Sequence, residues 1–152
     1  MHTTLQFIRY CLITGVTITV LLISIVGFLL LGSLPHYDGE KASPGLSAPV
    51  SIERDSLGTV TFKGQNRLDL AQAMGFVHAQ ERFFEMDLLR RQAAGELAEL
   101  FGTSMLMRDI KARKFRLRAR SSLVLEQLPE TQRQLLDAYR IGVNHGIESL
   151  TT

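Results

Sequence analysis

Residues 11–34, CLITGVTITVLLISIVGFLLLGSL, carry no charged side chain. No other feature restricts the fold as strongly. Wound as a helix at about 1.5 Å per residue, a run of this length reaches about 36 Å, enough to cross a hydrocarbon core with some tilt. It reads as a transmembrane helix. Of the 152 residues in the chain, a little over one hundred then remain for anything globular. A domain that small buries a low fraction of its surface and would be marginal if it had to fold alone.

The flanks set an orientation. The amino terminus and Arg9 precede the apolar run, and Asp38, Glu40 and Lys41 follow it with a net charge of −1. The positive-inside rule puts the N-terminus in the cytoplasm and everything after Leu34 on the far side, periplasmic or extracellular. A cleavable signal peptide has a shorter apolar core and a small-residue exit, whereas this exit reads Leu31-Gly32-Ser33-Leu34-Pro35. Residues 1–34 are therefore expected to form a cytoplasmic N-terminus and an uncleaved signal anchor, and a mature chain beginning near His36 would overturn that. Residues 35–48, with Gly39, Pro44 and Gly45, read as a linker with no reason to pack. The one cysteine, Cys11, excludes an internal disulfide. It reads as filler in the membrane helix, with palmitoylation as the alternative. The net charge of +2 is too small to argue for a nucleic-acid partner.

Residues 49–152 show globular patterning. PVSIERD and TVTFK alternate apolar and polar positions on either side of Asp55-Ser56-Leu57-Gly58, which is a β-hairpin pattern with one apolar face. A lone hairpin is barely stable in water, so that face needs a partner. A helix is expected next, capped by Asp69 with Gln72 three residues on. Its apolar stripe would be Leu70, Met74, Val77, Phe84 and Leu88, with Glu81 filling one gap. Gly75 inside it points to a close contact, and Asp87 and Arg91 are spaced for an i,i+4 pair. A second helix is expected over 93–101, ending at Gly102. A third would run over 104–128 with a break near Ser121-Ser122, and would contain KARKFRLRAR, six basic residues between Lys111 and Arg120. Pro129 would start a fourth, with a stripe of Leu136, Tyr139, Val143, Ile147 and Leu150.

Three segments stand in order: PVSIERDSLGTVTF, LDLAQAMGFVHAQERFFEMDLLRRQAAGELAELFG and LPETQRQLLDAYRIGVN. Together they resemble the start of the penicillin acylase family, which are N-terminal-nucleophile (Ntn) amidohydrolases. The likeness covers roughly Ala48 to Ile147. Its most specific blocks are Gly75 to Gly102 and Ala138 to Asn144.

The resemblance implies an α+β fold in which this piece supplies a hairpin and several helices to a layered αββα core, here incomplete. It implies a longer precursor cut into α and β subunits, with a Ser, Cys or Thr at the new β N-terminus. That hydroxyl or thiol attacks an amide carbonyl while its own α-amine, with a pKa near 8, serves as base. Oxyanion donors in the β subunit complete the site. Family substrates are small-molecule acyl amides such as β-lactam side chains and N-acyl homoserine lactones. The nucleophile, the substrate-touching α residues and the carboxylate that helps hold calcium in some members match positions beyond Thr152. No catalytic, cofactor-binding or metal-binding residue is thus assigned here, and calcium is expected only in the complete enzyme.

His78 and Glu81 could share a metal, but no second ligand pair is visible, so a half-buried histidine and a surface acid are preferred. Glu81, Glu85 and Asp87 are expected to pair with Arg82, Arg90 and Arg91. KARKFRLRAR reads as a solvated face paired with acids of the missing β subunit, with anionic lipid headgroups as the alternative. Gly32-Ser33 and Gly102-Thr103 only superficially resemble processing sites. Ser33, Ser43 and Ser47 show no triad, although His78 and His145 could be recruited.

The expectation is the N-terminal part of a membrane-anchored amidase: a truncated frame, a fragment or half of a split gene. It would be inactive alone and partnered by the β subunit or the remainder of its precursor. The competing expectation is a non-catalytic single-pass membrane protein that reuses the scaffold for binding.

Overall fold

The computed structural model describes residues 2–32 and 37–150. The chain divides into two compact units, Met1–Gly39 and Glu40–Thr152. The first is the helix α1, His2–Gly32, whose segment Leu12–Leu31 has a mean hydropathy of 2.5. By length and composition it could cross a membrane, a measure that signal sequences also satisfy. Thr14, Thr17 and Thr19 each turn their hydroxyl onto the carbonyl four residues back, at 2.9 Å, so none of the three presents an unsatisfied hydroxyl.

The second unit is mostly helical with one two-stranded sheet. Strands β1 (Ser51–Arg54) and β2 (Val60–Lys63) pair antiparallel in the register Ser51↔Lys63, Ile52↔Phe62, Glu53↔Thr61 and Arg54↔Val60. Ile52 and Phe62 therefore sit opposite each other on the half-buried face. The turn is the expected one. Asp55 Oδ1 accepts from the Leu57 and Thr59 N–H groups at 2.9 and 2.8 Å, and Gly58 takes the positive φ of 81°.

Helix α2, Arg67–Ala94, starts three residues earlier than expected. Asn66 is its N-cap, with its side chain accepting from the Asp69 N–H at 2.9 Å. Asp69 lies three residues inside, so Asn66-Arg67-Leu68-Asp69 is the capping sequence and Asp69-x-x-Gln72 is not. The helix leaves helical geometry once, at Arg82. It runs on to Ala94, where Gly95 closes it in the left-handed region (φ 73°) and the Glu96 N–H donates to Arg91 O at 2.9 Å. The expected second helix over 93–101 is thereby shortened to α3, Ala98–Phe101, which ends at Gly102 as anticipated.

After a 3-10 turn, Gly102–Met105, come α4 (Leu106–Phe115) and α5 (Leu117–Gln127). The break between them lies at Arg116, the one non-glycine residue with positive φ (51°) among the described residues, and not at Ser121-Ser122. The serines are helical, and each hydroxyl bonds the carbonyl four residues back, of Leu117 and Arg118. The bend at Arg116 has a geometric cause. Arg113 Nε donates to Gly95 O at 2.8 Å, while Arg118 pairs with Glu96 at 2.6 Å. In a straight helix, residues five apart point about 140° from each other, so both could not reach the same corner.

Helix α6, Glu130–Glu148, follows Pro129 and lies along α2, and their contact is the centre of the unit. The residues that bury are small: Ala73, Gly75 and Ala79 on α2, and Ala138, Gly142 and Gly146 on α6, with Val77 the largest fully buried side chain. A Cβ on Gly75 would collide with the Tyr139 carbonyl, and one on Gly142 with the Gln72 carbonyl. One on Gly146 would meet Phe76 O and Ala79 Cβ at 2.6 Å. The close contact expected at Gly75 is present. The large-residue stripes supply only part of the interface: Val77 is buried and Leu70, Leu88, Tyr139, Val143 and Ile147 are half-buried. Met74 is 40% and Phe84 67% exposed, and Leu136 and Leu150 are exposed as well. Backbones this close leave no room for large side chains between them, so those side chains are displaced to the flanks.

Candidate functional site

The polar side chains gather at three places on the α2–α6 frame. The first holds residues 41–48, which were expected to have no packing partners. Asp69 is 2% exposed, yet both its oxygens are satisfied. It accepts from Ser47 N (2.9 Å), Ser47 Oγ (2.7 Å), Ala48 N (3.0 Å) and Asn66 Nδ2 (2.6 Å). These donors, led by the Ser47 N–H, hold the carboxyl below its ordinary value against the opposing effect of burial. One turn on, the buried Gln72 Nε2 donates to Pro44 O at 2.7 Å and to Ser43 Oγ at 2.9 Å. Ser43 Oγ also lies 3.1 Å from His145 Nδ1 on α6, and the His145 ring rests against Phe76 at 5.5 Å. Lys41 Nζ sits 5.8 Å above that same Phe76 ring. Residues 41–48 thus form a strap laced across both helices.

The second place links α2 to α6 through two half-buried side chains. His78 Nδ1 and Tyr139 Oη are 3.0 Å apart, with the rings edge-on. Burial, then the Arg82 charge, push the His78 pKa down, and burial pushes the Tyr139 phenol up. Both shifts favour the neutral pair, imidazole and phenol sharing one hydrogen bond. Glu81 points away to the hairpin, where Arg54 Nη2 meets it at 2.8 Å. His78 and Glu81 are therefore committed to different partners.

The third place is the corner where α2, α3 and α5 meet. Asp87 accepts from Arg91 Nε at 2.7 Å and Arg90 Nη2 at 2.6 Å, and these bonds, Arg91 first, lower its pKa. Arg91 reaches on to Glu99, and Glu96 takes Arg118, which lowers the Glu96 pKa. Buried Asp109 accepts from the Leu97 and Ala98 N–H groups at 3.1 and 2.7 Å and so caps α3. The expected Asp87–Arg90–Arg91 pairing is present. Glu81 takes Arg54 where Arg82 was expected, and Glu85 forms no ion pair among the described residues.

Ser33 lies outside the described residues, as does the side chain of Cys11. Ser47 is bound to Asp69. Ser43 meets His145, one of the two histidines named as recruitable, across 102 residues of sequence. Its oxygen is shared with Gln72, which makes it a knot in the strap. Gly102-Thr103 falls in the exposed turn before α4. For calcium the fit is poor. The two buried carboxylates, Asp69 and Asp109, both face N–H donors, and no group of three or more His, Cys, Asp or Glu converges among the described residues.

This is a helix-pair scaffold with an attached hairpin, its interior polar groups satisfied by one another. The chain belongs to the penicillin amidase family, whose profile matches residues 49–152. It is 39% identical over 112 residues to penicillin acylase 2 proenzyme of Pseudomonas sp. strain SE83, covering 74% of this chain and 14% of that protein. An acyl-homoserine lactone acylase of Pseudomonas aeruginosa is 33% identical over 112 residues, with 74% and 13% covered. Among solved structures, a thermostable penicillin G acylase from Alcaligenes faecalis superposes with a TM-score of 0.61 at 25% identity, covering 68% of this chain and 55% of that one. The chain spans about one seventh of the length of the curated relatives it matches.

Proposed function

We propose that this chain is the scaffold end of an amidohydrolase that cleaves linear acyl amides. The single observation behind this reading is that the family match covers the whole hairpin–helix unit while spanning only 14% of a relative's length. In this reading the unit joins an αββα layered core whose nucleophile lies in the remainder of the precursor, and the described chain alone turns over no substrate. The substrates are those of the relatives' class, β-lactam side chains or N-acyl homoserine lactones. Residues 11–34 anchor the protein with its N-terminus in the cytoplasm and the hairpin–helix unit outside. Calcium, if used, is bound by the remainder.

The test is to express the chain alone and together with the genomic sequence that follows codon 152, then assay release of the acyl group from penicillin G and a long-chain acyl-homoserine lactone. Turnover only in the longer product, lost when its new N-terminal Ser, Cys or Thr is changed to Ala, is the expected result. Turnover by the 152-residue chain itself defeats the reading. A following sequence with no processing site leaves the non-catalytic membrane protein in its place.

A further inference from the structure

Helices α4 and α5 form an arm of one-signed charge. Residues 106–125 include seven lysines and arginines and one acid, Asp109, which is buried against the Leu97 and Ala98 N–H groups. Two of the cations are engaged, Arg113 on Gly95 O and Arg118 on Glu96. Arg108, Lys111, Lys114, Arg116 and Arg120 make no ion pair among the described residues, and all are exposed.

The faces follow from helical geometry. Opposite buried Asp109 on α4 stand Met107, Lys111, Lys114 and Phe115, and opposite Arg118 on α5 stand Arg120, Leu123 and Val124. Each outward face therefore alternates cations with large apolar side chains, and Phe115 is 61% exposed. At the bend, an open cleft of about 340 Å³ has Ala93, Ala94 and Leu117 in its wall beside Arg113, Arg116 and Arg118.

We propose that the outward face of the α4–α5 arm docks on an anionic lipid surface. The apolar side chains enter the headgroup boundary, and the lysines and arginines of the outward face meet lipid phosphates. An acidic protein surface would match the charge but would leave Phe115, Leu123 and Val124 facing carboxylates. A bilayer boundary takes both kinds of side chain at once, because long cationic side chains reach up from an apolar layer to a charged one. The inference rests on the proposed membrane anchorage.

The chain contains no tryptophan, so Phe115→Trp places a single emitter on the arm at an already exposed position. The full chain carrying it is assembled into nanodiscs of phosphatidylcholine, with and without phosphatidylglycerol, on a belt protein whose tryptophans have been replaced. A blue-shifted emission in the anionic discs alone is expected. It should fade in about 1 M salt, where the Debye length falls to about 3 Å. It should also be lost in a variant that adds Lys111→Gln, Lys114→Gln and Arg120→Gln, whose far-UV circular dichroism shows whether the helices persist. A chain held in discs with unshifted emission overturns the arm proposal by itself, whereas a chain that does not enter discs defeats the anchorage and the arm together. A shift that is equal in both lipids and grows with protein per disc assigns the face to a protein surface and overturns the lipid proposal.

Discussion

At the residue scale, the glycines of the α2–α6 crossing carry the sharpest consequence. Gly142→Ala drives a methyl group into the Gln72 carbonyl, so the helices must separate. Overpacking of this kind typically costs about 1–3 kcal/mol. Urea unfolding of the full chain, followed by helical circular dichroism, should show the loss, while Gly15→Ala, where nothing lies within 4 Å, should leave the midpoint unmoved. His78 supplies a pH test. Its folded pKa lies below the ordinary 6.5, so the unfolded chain binds the proton more readily. Its neutral form thus favours folding fully above that value, and the contribution is lost as pH falls from 6.5 through the depressed value. A stability-versus-pH curve should rise with pH across that window for the native chain and flatten for His78→Gln. The acids with lowered pKa values, Asp69, Asp87 and Glu96, withdraw their contributions at still lower pH.

At the scale of elements, the strap and the bent arm behave as attachments to the helix pair. Asp69→Ala removes the acceptor of four hydrogen bonds, and residues 41–48 should then be cut much faster in limited proteolysis, with mass spectrometry locating the nick. If cutting there is no faster, Gln72 and His145 hold the strap alone. Arg116→Gly should stabilise α4–α5 by about 1 kcal/mol, because glycine adopts the left-handed conformation without the side-chain clash. Slower amide exchange across 106–127 would report it. These elements also mark what the residues revealed in advance. The hairpin and its Asp55 turn were legible because alternation and turn chemistry are local. The Gly75 contact and the Asp87–Arg91 pair were legible for the same reason. Asn66 as a cap was readable but hidden by the similar Asp69-x-x-Gln72 pattern, and Gly95 as a stop was passed over for Gly102. The bend at Arg116 was not readable, since distant Gly95 and Glu96 impose it. Nor was the strap, where Ser43 finds His145 only after α2 and α6 have closed. The stripes were half right: Val77 is buried and Tyr139, Val143 and Ile147 are half-buried, but the closest approach runs through glycine and alanine, which a count of large apolar residues does not register.

For the molecule as a whole, the unit Glu40–Thr152 leaves large apolar side chains uncovered, among them Phe84, Leu89, Phe101, Met107 and Phe115. Surfaces of that kind drive association. Residues 48–152 made without α1 should therefore form concentration-dependent oligomers in light scattering, and a monodisperse monomer with a cooperative melt would show that the unit needs no further surface. The crossing of α2 and α6 also imposes an order in time. Gly75 finds its partner backbone only near Tyr139 and Val143. At about 5–20 residues per second, a ribosome needs roughly 3–14 s to supply the chain between these positions. During that interval the small-residue groove of α2 exists without its occupant. A nascent chain stalled before residue 138 should thus be a far better client for a holding chaperone than one stalled well beyond residue 150.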